Sequence, residues 1–132
     1  MIKRCRRDPE RGATAVEFAL LFPVFILLLL GIVEFGSAFN AQILLTNAAR
    51  EAARTMTVSG TQDGAVAAAA AAVAPIGLTV SAADVAFSVS PSGACVSPAR
   101  LSVSVTVEKP MLTGLFGANI TLTGKATRQC GG

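Results

Sequence analysis

The sequence has no histidine, no tryptophan and no tyrosine, and only 14% of its 132 residues are charged. Without histidine it lacks the side chain most often used as general base and as metal ligand near neutral pH. Zinc-ligand spacings, phosphate-cradling glycine loops and nucleophile elbows are missing too. Beyond the apolar N-terminal part the acids are Glu51, Asp63, Asp84 and Glu108, too scattered to read as a catalytic carboxylate pair. A serine–lysine arrangement using Lys109 or Lys125 is the one nucleophilic chemistry left open, and no motif supports it. The expectation is a protein that is not an enzyme, with no metal, cofactor or small-molecule substrate.

Positive charge is scarce outside one place. Net charge is +3, and the head alone accounts for it: Lys3, Arg4, Arg6, Arg7 and Arg11 against Asp8 and Glu10. The rest of the chain is balanced, so no extended basic surface points to nucleic acid. Cysteine is limited to Cys5, Cys95 and Cys130. Cys5 lies in the basic head with no apolar stretch before it, which argues against a lipoprotein signal. Cys95 and Cys130 fall in the region expected outside the membrane, where oxidation is permitted, and a Cys95–Cys130 disulfide is expected. Two unpaired cysteines of a small core are the alternative.

The sequence is rich in one thing, a long apolar run. Residues 18–33 carry no polar side chain. As a helix they span about 24 Å, somewhat short of a ~30 Å hydrocarbon core. Extending the span to 13–16 or 35–39 closes the gap but draws Glu17 or Glu34 toward lipid. A charge at the bilayer centre costs roughly 3 kcal/mol and less near an interface. The two acids are 17 residues apart, so each can sit near an opposite interface. The basic flank keeps the N-terminus in the cytoplasm. Pro23 predicts a bend; Gly31, Glu34 and Gly36 are candidate helix-packing positions, the glycines permitting close approach of another helix. A secretory signal with Gly36-Ser37-Ala38 as its small-residue cleavage site is the competing reading, opposed by the length of the run and by Glu34.

No helix breaker follows Gly36 until Gly60, so a single helix over 13–58, about 69 Å long, is predicted. Its outer half has an apolar stripe of Ile43, Leu44, Ala48, Ala52 and Met56, suited to packing under the protein's own sheet. Ala48/Ala52 and Ala49/Ala53 also have the small-residue spacing of tight helix–helix contacts, and Asn40 and Asn47 share a face that could fix register with a partner. A turn at 60–64, with Thr61 or Asp63 as N-cap, leads into an alanine-rich helix over 65–74 stopped by Pro75. Alternation then predicts strands: a short one at 78–81, one around Val85, Phe87 and Val89, one through Leu101, Val103, Val105 and Val107, and a last one through Ile120, Leu122 and Ala126. The expected fold class is α+β: a long transmembrane helix, a second short Ala-rich helix and a small antiparallel sheet of about three strands. Residues 1–12 form a leader, 13–59 the long helix, in the membrane to about residue 39, and 60–132 a small domain.

The block Arg11-Gly12-Ala13-Thr14-Ala15-Val16-Glu17-Phe18-Ala19-Leu20, then Pro23, then Gly31-Ile32-Val33-Glu34-Phe35-Gly36, then Asn47-Ala48-Ala49-Arg50-Glu51-Ala52-Ala53-Arg54 resembles the TadE-like proteins of tight-adherence pilus systems. The resemblance implies a minor pilin or pseudopilin, similar to type IV prepilins, in the bacterial inner membrane with a periplasmic C-terminal domain. It implies a prepilin peptidase acting at Gly12–Ala13, and Glu17 as the subunit-pairing fifth residue of the mature chain. The mature chain would start with Ala13 where type IV pilins usually have phenylalanine. Other minor pilins, the major pilin and pilus platform proteins are the implied partners. An uncleaved single-pass protein with a periplasmic binding or scaffold domain unrelated to pili is the alternative.

Overall fold

The computed structural model describes residues 9–91, 93–114, 117 and 119–131, with side chains from residue 12 onward. The basic head with Lys3, Arg4, Cys5, Arg6 and Arg7 lies outside the described residues. Helix α1 runs from Pro9 to Ser59, 51 residues, and Pro23 falls inside it. At 1.5 Å per residue it is about 76 Å long. Proline suits its first turn, where an N–H would have no helical acceptor. Gly60 ends it in the left-handed conformation (φ 69°), its N–H donating to the Met56 carbonyl at 3.0 Å.

The helix has two environments. From Gly12 to Val33 its side chains are almost all uncovered, the large apolar ones included. From Glu34 outward it carries a buried stripe: Glu34, Ala41, Leu45, Ala48 and Ala52 repeat at three-, four- and seven-residue steps, with Ala49 and Ala53 alongside. The predicted stripe is therefore shifted. Leu45 is buried and Ile43 is 60% exposed, because the face that meets the domain is set by the alanines and runs through residue 45.

Helix α2, Gln62–Val73, turns back along α1 and buries Ala65, Ala69 and Val73. Alanines on both helices let their backbones approach closely. Thr61 is the N-cap residue, but its side chain makes no capping bond; its Oγ1 lies 3.1 Å from Ser59 Oγ. A 3-10 turn, Ala74–Ile76, takes up Pro75 and ends at Gly77 (φ 70°). Residues 78–81 are not a strand, contrary to expectation. They lead instead to a 3-10 turn at Ala82–Asp84, closed by a capping box in which Ser81 and Asp84 bond reciprocally.

Three strands follow: β1 Val85–Ser90, β2 Arg100–Pro110 and β3 Asn119–Gln129, antiparallel in the order β1-β2-β3. Alternation sorts their faces. Val85, Leu101, Val103, Val105 and Val107 face the helices and are buried. The outer face is hydroxyl-rich, and two register pairs bond across it: Ser102 with Thr127 at 3.0 Å, and Thr106 with Thr123 at 3.1 Å. The architecture is thus α+β, with α1 packed against α2, β2 and β3.

Candidate functional site

The leading sequence candidates sit at the N-terminal end of α1. Gly12 and Ala13 are exposed and lie just past the first turn of the helix. Glu17 is exposed one turn beyond Ala13, on the same face, and no ion pair is found for it among the described residues. A carboxylate here also faces the positive end of the helix dipole. Further along, Gly31 and Gly36 have open space where a side chain would stand, so this chain places nothing against them. Gly31 borders an open apolar groove with Val24, Leu27, Leu28, Ile32 and Phe35.

Glu34 behaves differently from the other helix-packing candidates. It is 2% exposed and is the one buried charged residue among those described. Its Oε1 accepts the Leu112 N–H at 2.6 Å and its Oε2 the Thr113 N–H at 3.1 Å. Helix α1 is thereby tied to the connection between β2 and β3. Charge-assisted bonds of this kind are worth roughly 1.5–3 kcal/mol each, enough to hold a loop that has no strand partner. A second polar tie lies two turns further out, where Gln42 Nε2 donates to the Thr123 carbonyl at 2.8 Å. Just beyond Gln42, α1 meets β3 with no side chain intervening: a Cβ built on Gly124 would overlap the Leu45 carbonyl.

These ties fix which end of the domain lies near the apolar half of α1. The β2–β3 connection, Lys109 and Pro110 face that half. So do Ile76, Gly77 and Leu78, which with Ser37, Asn40, Lys109, Pro110 and Leu112 line a cleft of about 320 Å³. The opposite end holds the Cys95–Cys130 disulfide, with Cα atoms 5.1 Å apart, joining the β1–β2 connection to the residue after β3. Ala48 and Ala52, candidates for contact with another subunit's helix, are wholly buried within their own domain. They pack in the core shared with α2 and the sheet. Asn40 and Asn47 are exposed. Glu51 and Arg54 form a long exposed pair at 3.9 Å.

Sequence reasoning missed the partners of Glu34, Gln42 and Gly124. Each had a signal. Glu34 precedes Ala41 by seven residues and Ala52 by eighteen, which puts it on the core face. Gly124 occupies the inward place between Leu122 and Ala126 where an apolar side chain was due. The fold of the loop onto Glu34 had no local signature.

The family model described as TadE-like protein matches residues 12–54, the stretch that carries the sequence resemblance. No curated protein and no solved structure matches the chain. Residues 12–54, which hold the uncovered apolar half of α1 and its buried stripe, are thus the part of the chain that is similar to TadE-like proteins.

Proposed function

We propose that the protein is a minor pilin or pseudopilin of a tight-adherence pilus. It crosses the bacterial inner membrane once, with the head in the cytoplasm and the α+β domain in the periplasm. A prepilin peptidase cuts the Gly12–Ala13 bond, and the Ala13 ammonium so released pairs with Glu17 of the same chain or of a neighbour. A second minor pilin, the major pilin and the platform proteins are the partners this reading requires.

One observation carries it. A single continuous helix is bare over its apolar half and holds a domain over the other half. Subunits that pack by their membrane helices need that bare half free, while the domain stays clear of the bundle. The TadE-like match over the same helix supports the reading. So does the position of Gly12–Ala13 one turn from the N-terminal end of α1, since helix ends fray and a protease needs extended backbone. Cutting there also removes every charge of the head and leaves one cation beside one acid at the lipid boundary.

N-terminal sequencing of the protein recovered from cells with and without the peptidase tests it. A chain starting at Ala13 only when the peptidase is present is expected. A functional chain that keeps Met1 would instead favour an uncleaved single-pass scaffold or binding protein.

A further inference from the structure

We infer that the β2–β3 connection is a second membrane contact: Leu112, with Lys109 beside it, rests in the outer, periplasm-facing leaflet of the lipid bilayer. The inference builds on the reading of α1 as a membrane span and adds a surface of the domain to it.

Depth comes from direct contact. Glu34 lies 22 residues beyond Gly12. That is about 33 Å along the helix, the distance at which a ~30 Å hydrocarbon core gives way to headgroups. Leu112 and Thr113 donate their N–H groups to the Glu34 carboxylate, so they stand at the same level on α1. Helix tilt changes this little. At about 20° of tilt, a group roughly 10 Å off the axis moves only ~3 Å along the membrane normal.

The chemistry at that level suits an interface. Leu112 is 64% exposed at this level, and Phe35, next to Glu34 on the helix, is 63% exposed, so apolar side chains stand uncovered on both α1 and the loop at the same depth. Lys109 lines the adjoining cleft with Leu112. Its four-carbon stem can lie along apolar surface while the ammonium reaches lipid phosphates.

Glu34 supplies the part that would otherwise forbid the arrangement. A loop near hydrocarbon cannot leave backbone N–H groups unpaired, and a carboxylate there cannot stay unpaired either. In this fold each satisfies the other, with the acid buried from solvent. The pairing accounts both for an acid on the core-facing stripe of α1 and for the exposed Leu112 beside it. Lipid is favoured over a protein partner because the bonds to Glu34 hold Leu112 at the level where the bare apolar half of α1 ends, with a lysine beside it.

The chain has no tryptophan or tyrosine, so a single introduced indole reports alone. Full-length Leu112→Trp, Ile32→Trp and Val96→Trp proteins are reconstituted in vesicles of phosphatidylcholine and phosphatidylglycerol. Parallel vesicles carry bromine near the glycerol end of the acyl chains. Ile32 lies within the apolar half of α1, and Val96, also 64% exposed, lies at the disulfide end of the domain. Brominated lipid is expected to quench the indoles at 32 and 112, with the indole at 96 keeping its full emission. Quenching at 32 without quenching at 112 would overturn the loop contact while leaving the span intact, whether the indole at 112 were open to water or covered by protein. Loss of quenching at both positions would remove the span as well. Leu112→Asp should release the domain edge from lipid, read as faster hydrogen exchange across 110–114 in vesicles but not in detergent.

Discussion

Gly124 of β3 lies so close to Leu45 of α1 that a Cβ there would overlap the Leu45 carbonyl and the Thr46 nitrogen. Backbone meets backbone at this point, and neither a helix nor a paired strand can shift locally to make room. Gly124→Ala is expected to destabilise the domain by at least the usual overpacking cost of about 1–3 kcal/mol. Gly124→Val should leave no folded domain. Thermal unfolding followed by circular dichroism checks this, and an alanine variant as stable as the parent would mean that α1 does not seat on β3 in this way.

The Glu34 carboxylate holds two amides, so its variants should separate by how much acceptor capacity they keep. Glu34→Gln retains one carbonyl oxygen and should lose part of the tie. Glu34→Ala leaves the Leu112 and Thr113 N–H groups without acceptors, at a cost of roughly 1–3 kcal/mol for each one kept from water. Amide exchange at 112 and 113 should rise in the order parent, glutamine, alanine, with β2 exchange from 101 to 107 unchanged. Equal protection in all three would show that the loop is held by something else.

How much of this was legible from sequence depended on whether the information was local. The length of α1, the alanine-rich hairpin partner and the three strands follow from composition and alternation, which act within a few residues. Register on the helix was less legible. Ile43 and Leu44 look more like core than Ala41 and Ala48, yet close packing against α2 and the sheet selects small residues and leaves Ile43 outside. Residues 78–81 read as a strand from their apolar content, but they have no ladder partner and end instead in the Ser81–Asp84 capping box. Glu34 was legible as an acid just past the long apolar run. Its acceptor role was not, because its donors are 78 and 79 residues away in a connection with no motif of its own.

The Cys95–Cys130 bridge closes a loop of 35 residues. In the chain-entropy account that restriction of the unfolded state is worth about 3–4 kcal/mol. A domain this small has little core to spare, so Cys130→Ser, or reduction of the parent, should lower the melting temperature markedly. Thiol labelling before and after reductant provides the direct count. Two cysteines that label fully without reductant would show that the bridge does not form in cells.

Asp84 has a pKa held below the ordinary carboxylate range, first by the Ser81 hydroxyl bond at 2.7 Å and then by the Ser81 N–H bond at 2.8 Å. A lowered folded-state value means that this stabilisation is in place above the unfolded-state pKa and disappears as pH falls through the folded-state one. The residue is partly open to solvent, so screening keeps the effect small. The melting temperature of Asp84→Asn should therefore sit slightly below the parent near neutral pH and converge on it below about pH 4. A gap that stays constant through the acid range would assign the difference to packing.

Glu17 is exposed on the bare half of α1, far from the domain, and its replacement should leave folding alone. Glu17→Gln is expected to melt with the parent and still be cut after Gly12. What it should lose is association with neighbouring subunits, because an amide cannot neutralise the Ala13 ammonium at the lipid boundary. Glu17→Asp keeps the charge on a shorter stem and should recover part of the association. Co-purification from membranes, with processing scored on the same sample, separates the two effects. If the glutamine variant associates as well as the parent after cleavage, charge pairing at this position plays no part in subunit contact, and the open apolar groove beside Gly31 is the next surface to test by substitution.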